Sequence, residues 1–250
     1  MVVAPGRRAW RALLHRSSRM TAREAARAGP WLVLAPHPDD ETLGAGALIA
    51  AIAAGGAAAH VAFLTDGSGS HAGAPGWGPA RIAGVRRQEA EAALHALGAP
   101  APRLRIGWRD AAPPAPGDPA FERGVRRLVA WCRRLAIRRI AVTLEAERHC
   151  DHEAAARLAV EAARRCRARV HFYCVWGWAD PDLEGHLRGL AATAIDTAAF
   201  RSRQRRALNC HRSQRGGRIA GARESFRLPR SMLRLVDAPR TILLETRHAA

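Results

Sequence analysis

Lysine is absent from this 250-residue chain: all 40 basic side chains are arginine, set against 22 carboxylates for a formal charge of +18. A surplus of that size ordinarily points to nucleic acid, a membrane surface or an acidic ligand. Here the exclusive use of arginine beside abundant alanine reads as a compositional bias, and the arginines are spread along the chain rather than gathered in one stripe among aromatics. No specific nucleic-acid partner is therefore expected. Cysteine is sparse: the five thiols (132, 150, 166, 174 and 210) are odd in number and contain no C-x-x-C. That excludes a disulfide framework and a cysteine-type zinc knuckle, and it suits a reducing cytoplasm. Long apolar runs are missing as well. The longest candidate, Leu43 to Ala59, is short and rich in alanine and glycine, so no transmembrane segment is expected. Residues 1–30 carry seven arginines and no apolar core of the kind a signal peptide has. Trp10, Leu13 and Leu14 are arranged for a small basic amphipathic helix on a membrane. The reading adopted for this stretch is a loosely ordered leader.

What is present is an alternation of apolar runs with helical patterns, which predicts one α/β domain over residues 31–250. Trp31 to Ala35 reads as a buried strand and Thr42 to Ala54 as a helix stopped by Gly55-Gly56. His60 to Thr65 is a second strand, running into the Gly- and Ser-rich loop Thr65 to His71. Arg81 to Leu97 is a helix closed by Gly98, Arg103 to Ile106 a short strand, and Phe121 to Leu135 a helix after a proline-rich connection. Then follow a strand at Arg139 to Leu144, a helix from about His152 to Cys166 and a strand at Val170 to Val175. The repeated order predicts a doubly wound, Rossmann-like, mostly parallel sheet flanked by helices. Beyond Trp178 the pattern loosens to an arginine-rich helix, Ala199 to Cys210, and short strands within Arg223 to Leu244.

Two polar clusters interrupt this pattern, each directly after a strand. In Pro36-His37-Pro38-Asp39-Asp40-Glu41, His37 and Asp40 are three apart, so a helix beginning in this turn points both the same way and sends Asp39 elsewhere. In Arg148-His149-Cys150-Asp151-His152-Glu153 the two histidines have the same spacing. Ligands of parallel sheets collect outside the carboxyl ends of the strands, so both clusters can converge on one point. A catalytic zinc usually takes three nitrogen or oxygen ligands and keeps a fourth position for water. His37, Asp40 and His152 can supply that set, leaving Asp39 and His149 for proton transfer. Taken singly, each acid here is an ordinary helix cap and each histidine an ordinary structural one; the paired clusters argue for the metal site.

Ala35-Pro36-His37-Pro38-Asp39-Asp40-Glu41 resembles the AHPDDE signature of the LmbE-like, or PIG-L, deacetylases, and His149-Cys150-Asp151-His152 resembles their HPDH motif. Thr65-Asp66-Gly67, the Arg86-Arg87-Gln88-Glu89 helix ending at Leu97-Gly98, and Ala207-Leu208-Asn209-Cys210-His211-Arg212-Ser213-Gln214 are similar to later segments of that family, in the expected order from Trp31 to Phe226. The resemblance implies a zinc-dependent N-acetylglucosaminyl deacetylase with His37, Asp40 and His152 as ligands and Asp39 as general base. It also implies that His149 stabilises the oxyanion or protonates the leaving amine, with Asp151 holding its imidazole. Cys150 stands where proline is usual, which leaves the backbone path of that turn open and puts a thiol beside the site. Pro36 precedes a histidine more often preceded by alanine.

The expected activity is hydrolysis of an N-acyl, foremost N-acetyl, group from an amino sugar or a glycoside or glycolipid containing one, with Zn2+ or another divalent first-row metal. Arg86 is the candidate for sugar hydroxyls or a phosphate, its alternative being an ion pair with Glu89 or Glu91, and Asp110 is a second substrate-binding candidate. Trp77, Trp108, Trp176 and Trp178 fall in expected loops, where they can stack on sugar rings or pack in the core. His211, Ser213 and Gln214 either close one wall of the pocket or brace the fold. Two rival readings remain: an amidase acting on a different acyl or thiol-conjugate amide, and a basic binding protein that keeps the site as structure.

Overall fold

Both faces of the central strands are apolar, which is the pattern of a sheet covered by helices on two sides. A computed structural model describes residues 5–99, 104–222 and 227–246. After α1 (Pro5–Arg16), β1 (Ser18–Thr21) and α2 (Ala22–Arg27), the chain alternates β2 (Trp31–Ala35), α3 (Asp40–Ala54), β3 (Ala59–Thr65), α4 (Pro79–Leu97), β4 (Leu104–Trp108), α5 (Pro119–Arg134), β5 (Arg139–Thr143), α6 (Cys150–Cys166) and β6 (Arg169–Tyr173). Then come α7 (Leu183–His186), β7 (Leu190–Asp196), α8 (Arg201–Cys210), α9 (Arg230–Leu233) and β8 (Arg240–Thr246). The eight strands form one sheet in the order β1-β7-β8-β6-β5-β2-β3-β4. Every neighbouring pair is parallel except those made by β8, which runs antiparallel to β6 and β7.

Alternate residues of β2 feed two cores. Leu32 and Leu34 join the layer built with α5 and α6, while Trp31, Val33 and Ala35 join the layer of α3, α4 and α8. The α3 helix is buried along most of its length, so its first turn carries its acids into the interior. Its seat on the sheet is close: a Cβ on Gly44 would lie 2.1 Å from the ring of Tyr173, the chain's one tyrosine. Gly44→Ala is therefore expected to destabilise the fold by about 1–3 kcal/mol through overpacking. Urea unfolding of the variant measures it, and a midpoint equal to the wild type would show that α3 is not seated there.

Two regions differ from the sequence expectation. Among the described residues, the leader is structured: β1 extends the sheet edge in parallel with β7, Thr21 and Glu24 form a capping box on α2, and Leu13 of α1 is wholly buried in the core. Arginine-rich composition hid this, because a buried Leu13 in α1 and two buried alanines, Ala25 and Ala26, in α2 give little periodic signal. Toward the end, the expected short strands reduce to β8, preceded by α9 and a 3-10 turn, while β7 (Leu-Ala-Ala-Thr-Ala-Ile-Asp) was not anticipated. Its small residues carry little strand signal; pairing with β1 and β8 makes it a strand. Expectations for Arg103, for residues 223–226 and for the side chain of Trp10 lie outside the described residues. No helix among the described residues is long and apolar enough to cross a membrane.

Candidate active site

The chain leaves β2 toward β3 and β4 on one side, then returns to β5 and β6 on the other, so the strand order reverses between β2 and β5. Such a switch point opens a crevice at the carboxyl ends of the two strands, and both polar clusters lie there. After β2 the backbone turns on the His37 carbonyl, which accepts from the N–H groups of Asp39 (3.0 Å) and Asp40 (3.3 Å). Asp39 occupies the N-cap of α3 with non-helical backbone (φ 158°, ψ −25°) and Asp40 is already helical. This change of direction aims adjacent carboxylates apart. After β5, His149 is the N-cap of α6, its Nδ1 accepting from the Asp151 N–H at 3.2 Å. Cys150 is the first residue of that helix, a position where proline is common, so the turn closes without it. Its thiol is raised above the usual range by burial first and then by Asp151.

His37 Nδ1 lies 3.1 Å from Asp40 Oδ2, and His152 Nε2 approaches the same oxygen to 3.3 Å. One ligand atom each from His37, Asp40 and His152 falls within 4.8 Å of the others; a second trio, His37, His149 and Asp151, shares His37. The first trio is the one that fits a resident divalent cation. His152 Nε2 is buried without a hydrogen-bond partner, and Glu147 Oε2 lies 2.6 Å from its Nδ1. With Nδ1 donating to Glu147, Nε2 presents a lone pair inward, the arrangement of a metal-ligating histidine with its supporting carboxylate. The electrostatics agree. Burial opposes charge on His152, yet Asp40 and then Glu147 push it up to about 9. Burial likewise opposes charge on His37, but Asp110, Asp151 and Asp40 hold it well above the ordinary value. Asp40 is held well below the carboxylate range: burial works against it, and His152 and His37 outweigh burial. The surplus of carboxylates makes this a place for positive charge.

Asp39 stands apart from that set. Burial, opposed by Arg86 and reinforced by Asp40, pushes it up to about 6. Its Oδ1 lies 3.3 Å from Arg86 Nη2, and its N–H donates to Glu41 Oε2 at 2.9 Å. Arg86 was expected to reach substrate. It does line the cleft, but it is only 3% exposed and its guanidinium donates to the carbonyls of Gly67 (3.1 Å) and Pro38 (3.0 Å) as well as facing Asp39. Neither alternative pairing forms: Glu89 accepts from the Ser213 backbone and hydroxyl, and Glu91 pairs with Arg105. Gly67 is required beneath it, since at φ 67° a Cβ would come within 2.2 Å of Arg86 Nη1. The Thr65-Asp66-Gly67 turn thus serves the clamp on Asp39.

Asp110 joins the site, with Oδ1 3.2 Å from His37 Nε2 and Oδ2 accepting from the Gly69 N–H at 2.8 Å. Asp151 was expected to hold the His149 imidazole. Instead its Oδ2 lies 3.0 Å from His37 Nε2, accepts from the Ala111 N–H at 2.9 Å, and is 4.0 Å from His149 Nδ1. His149 is steered by the helix end: because Nδ1 accepts from a backbone N–H, the neutral ring carries its proton on Nε2. Burial, then His37 and His152, lower its basicity. Of the four candidate tryptophans only Trp176 lines the cleft; Trp108 packs on Phe121, Trp77 stacks under Arg81, and the Trp178 indole donates to the Cys174 carbonyl. His211, Ser213 and Gln214 are buried and brace the fold. Two supporting acids escaped sequence reasoning. Glu147 also accepts from the N–H groups of Val175 (2.5 Å) and Gly177 (2.9 Å), and Glu41, read as a cap, lies 3.5 Å from His211 Nε2. Neither has a spacing that a periodic pattern reveals.

Glu147→Gln tests this support. A glutamine keeping the two backbone contacts through its oxygen turns an amide donor toward His152 Nδ1, which forces the proton onto Nε2. Affinity for a divalent metal is expected to fall about 10- to 100-fold with the fold intact. Metal-competition titration reads the change, and unaltered affinity would remove Glu147 from the site.

The family model for GlcNAc-PI de-N-acetylase (PIG-L) matches residues 32–163. No curated protein matches the chain. Among solved structures, the conserved protein TT1542 from Thermus thermophilus is similar at 30% identity, over 74% of this chain and 79% of that one, with a TM-score of 0.56. The N,N'-diacetylchitobiose deacetylase from Pyrococcus horikoshii is similar at 18% identity, over 74% and 70%, with a TM-score of 0.59. The 4-carboxy-2-hydroxymuconate hydratase from Pseudomonas putida is similar at 24% identity, over 75% and 80%, with a TM-score of 0.57. The last two likenesses concern the fold alone. Motif order, switch-point site and family match agree: the chain belongs to the PIG-L, or LmbE-like, family of de-N-acetylases.

Proposed function

We propose that the protein hydrolyses the N-acyl group of an amino sugar, or of a glycoside or glycolipid containing one, with one divalent first-row metal, foremost Zn2+, held by His37, Asp40 and His152. The observation that carries this reading is the buried, unpartnered His152 Nε2 beside Asp40, backed by Glu147, with a second acid, Asp39, held separately. When bound, the metal supplies Lewis-acid polarisation of the amide carbonyl and a lowered pKa for water. Asp39, raised toward neutrality by burial, takes the proton of the attacking water as general base. Arg86 and the Glu41 contact to the Asp39 N–H fix that carboxylate's direction. His149, neutral with Nε2–H, donates to the oxygen on which charge develops. Asp39, now protonated, is placed to return its proton to the departing amine. Asp110 offers its carboxylate to a sugar hydroxyl at the cleft margin.

The test is free-amine release from a panel of N-acetylated sugars and their glycosides by protein loaded separately with zinc, iron, cobalt and manganese. Amine release that chelation abolishes supports the reading; no release across the panel by metal-loaded protein refutes it. An amidase acting only on larger acyl or thiol-conjugate amides would show as bulky-acid release without acetate. A binding protein would show nucleic-acid affinity that persists at physiological salt. The sparse cysteines favour a cytoplasmic setting.

A further inference from the structure

The cleft, about 310 Å³, changes character from one side of the reaction centre to the other. Over β3 and β4 its lining is mostly polar, with Gly69, Ser70, Arg86 and Asp110 beside Ala111. His37, Asp39 and Asp40 stand in the middle, over β2. Over β6 it turns apolar: Val175 and Trp176 follow that strand, Leu43 lies four residues beyond Asp39 on α3, and Met232 closes in from α9, which packs on the turn after β6. Leu228 sits toward the other side, its N–H donating to the carbonyl of Gln214 (2.8 Å), whose side-chain amide donates to Ser70 Oγ at 3.5 Å. Leu43, Val175 and Met232 belong to one packed core layer, with Trp176 packed against it. This wall is therefore a built surface.

An amide divides its substrate into an amine half and an acyl half. In an amino sugar the hydroxyls all lie on the amine half, and beyond the carbonyl the acyl half is hydrocarbon. Placing hydroxyls against the β6 wall would strip their hydrogen bonds without replacement, which is costly, whereas the β3–β4 side offers acceptors. The sugar therefore belongs over β3 and β4 and the acyl group over β6. An acetyl group has one methyl to set against four apolar side chains. We propose that this wall is an acyl-chain slot and that the preferred acyl group is an alkyl chain longer than acetyl. The inference rests on the N-acyl hydrolase reading and deepens it.

The experiment compares N-acetyl-, N-propanoyl- and N-butanoylglucosamine, together with the octyl glycoside of N-acetylglucosamine, on the metal-loaded protein. The expected kcat/KM rises about fourfold per methylene added to the acyl group, as burial of a methylene in an apolar site provides. Calorimetric binding of the same series to Asp39→Asn is expected to rise in the same order. Met232→Gln and, separately, Val175→Thr are expected to pull the butanoyl-to-acetyl ratio toward one. Amine release that is fastest from the acetyl derivative and declines with acyl length overturns the slot and leaves the hydrolase reading intact. A gain confined to the octyl glycoside overturns it equally, by placing the apolar group on the sugar side. Amine release from no member of the series overturns both.

Discussion

Asp39→Asn is expected to bind metal with near wild-type affinity and to lose about 10² to 10⁴ in kcat, the range for removal of a general base. The substitution keeps the side chain's volume and leaves Arg86 a neutral oxygen to face, so the two backbone carbonyls that Arg86 holds stay in place. Alanine is a poorer probe because it also leaves a buried guanidinium without its carboxylate, a cost to stability unrelated to proton transfer. Steady-state kinetics and metal titration on the same preparation separate the two effects. Retained turnover would move the base elsewhere in the site.

Asp40→Asn is expected to do the opposite first: metal content falls from about one ion per chain toward none, and activity falls with it. Asp40 Oδ2 is the point where the two histidines meet, 3.1 Å from one and 3.3 Å from the other. Loss of its charge removes a proposed ligand and also the anion that draws positive charge between two imidazoles. The effect on affinity should exceed the roughly 10- to 100-fold of a supporting residue such as Glu147. Elemental analysis and metal-competition titration provide the measurement. If Asp40→Asn bound metal normally and Asp39→Asn did not, the roles of the adjacent acids would be reversed.

These two acids show how much of the site local sequence contains. Three-residue spacing behind a strand is the local signal that His37 and Asp40, and His149 and His152, can come together, since residues three apart meet in a tight turn as they do in a helix. The structure begins the helices two residues earlier than the apolar pattern does, at Asp40 and Cys150, and His37 meets Asp40 through the turn before α3, in which the Asp40 N–H donates to the His37 carbonyl. Polar residues in a first turn carry no hydrophobic periodicity, so the boundary was legible only as a cluster. The β-α alternation was legible for the same local reason, and with it the parallel core from β2 to β6.

Contacts across the fold had no such signal. His37 meets Asp151 from 114 positions away, and Arg86 reaches the Pro38 carbonyl across 48. Asp151 looked like the partner of its neighbour His149; the tertiary structure turns it toward His37 and gives His149 a backbone N–H instead. Arg86 looked like a substrate residue on a helix; the fold buries it against Asp39 while keeping it in the lining of the cleft. The leader became an edge strand because β7 offered it a ladder. The candidate residues and the strand ends that carry them were legible along the chain, since spacing and periodicity are properties of neighbouring residues. Which acid supports which histidine, and where the cleft is polar or apolar, emerges on folding, because hydrogen bonds and burial depend on strands that are adjacent in the sheet and distant in the chain.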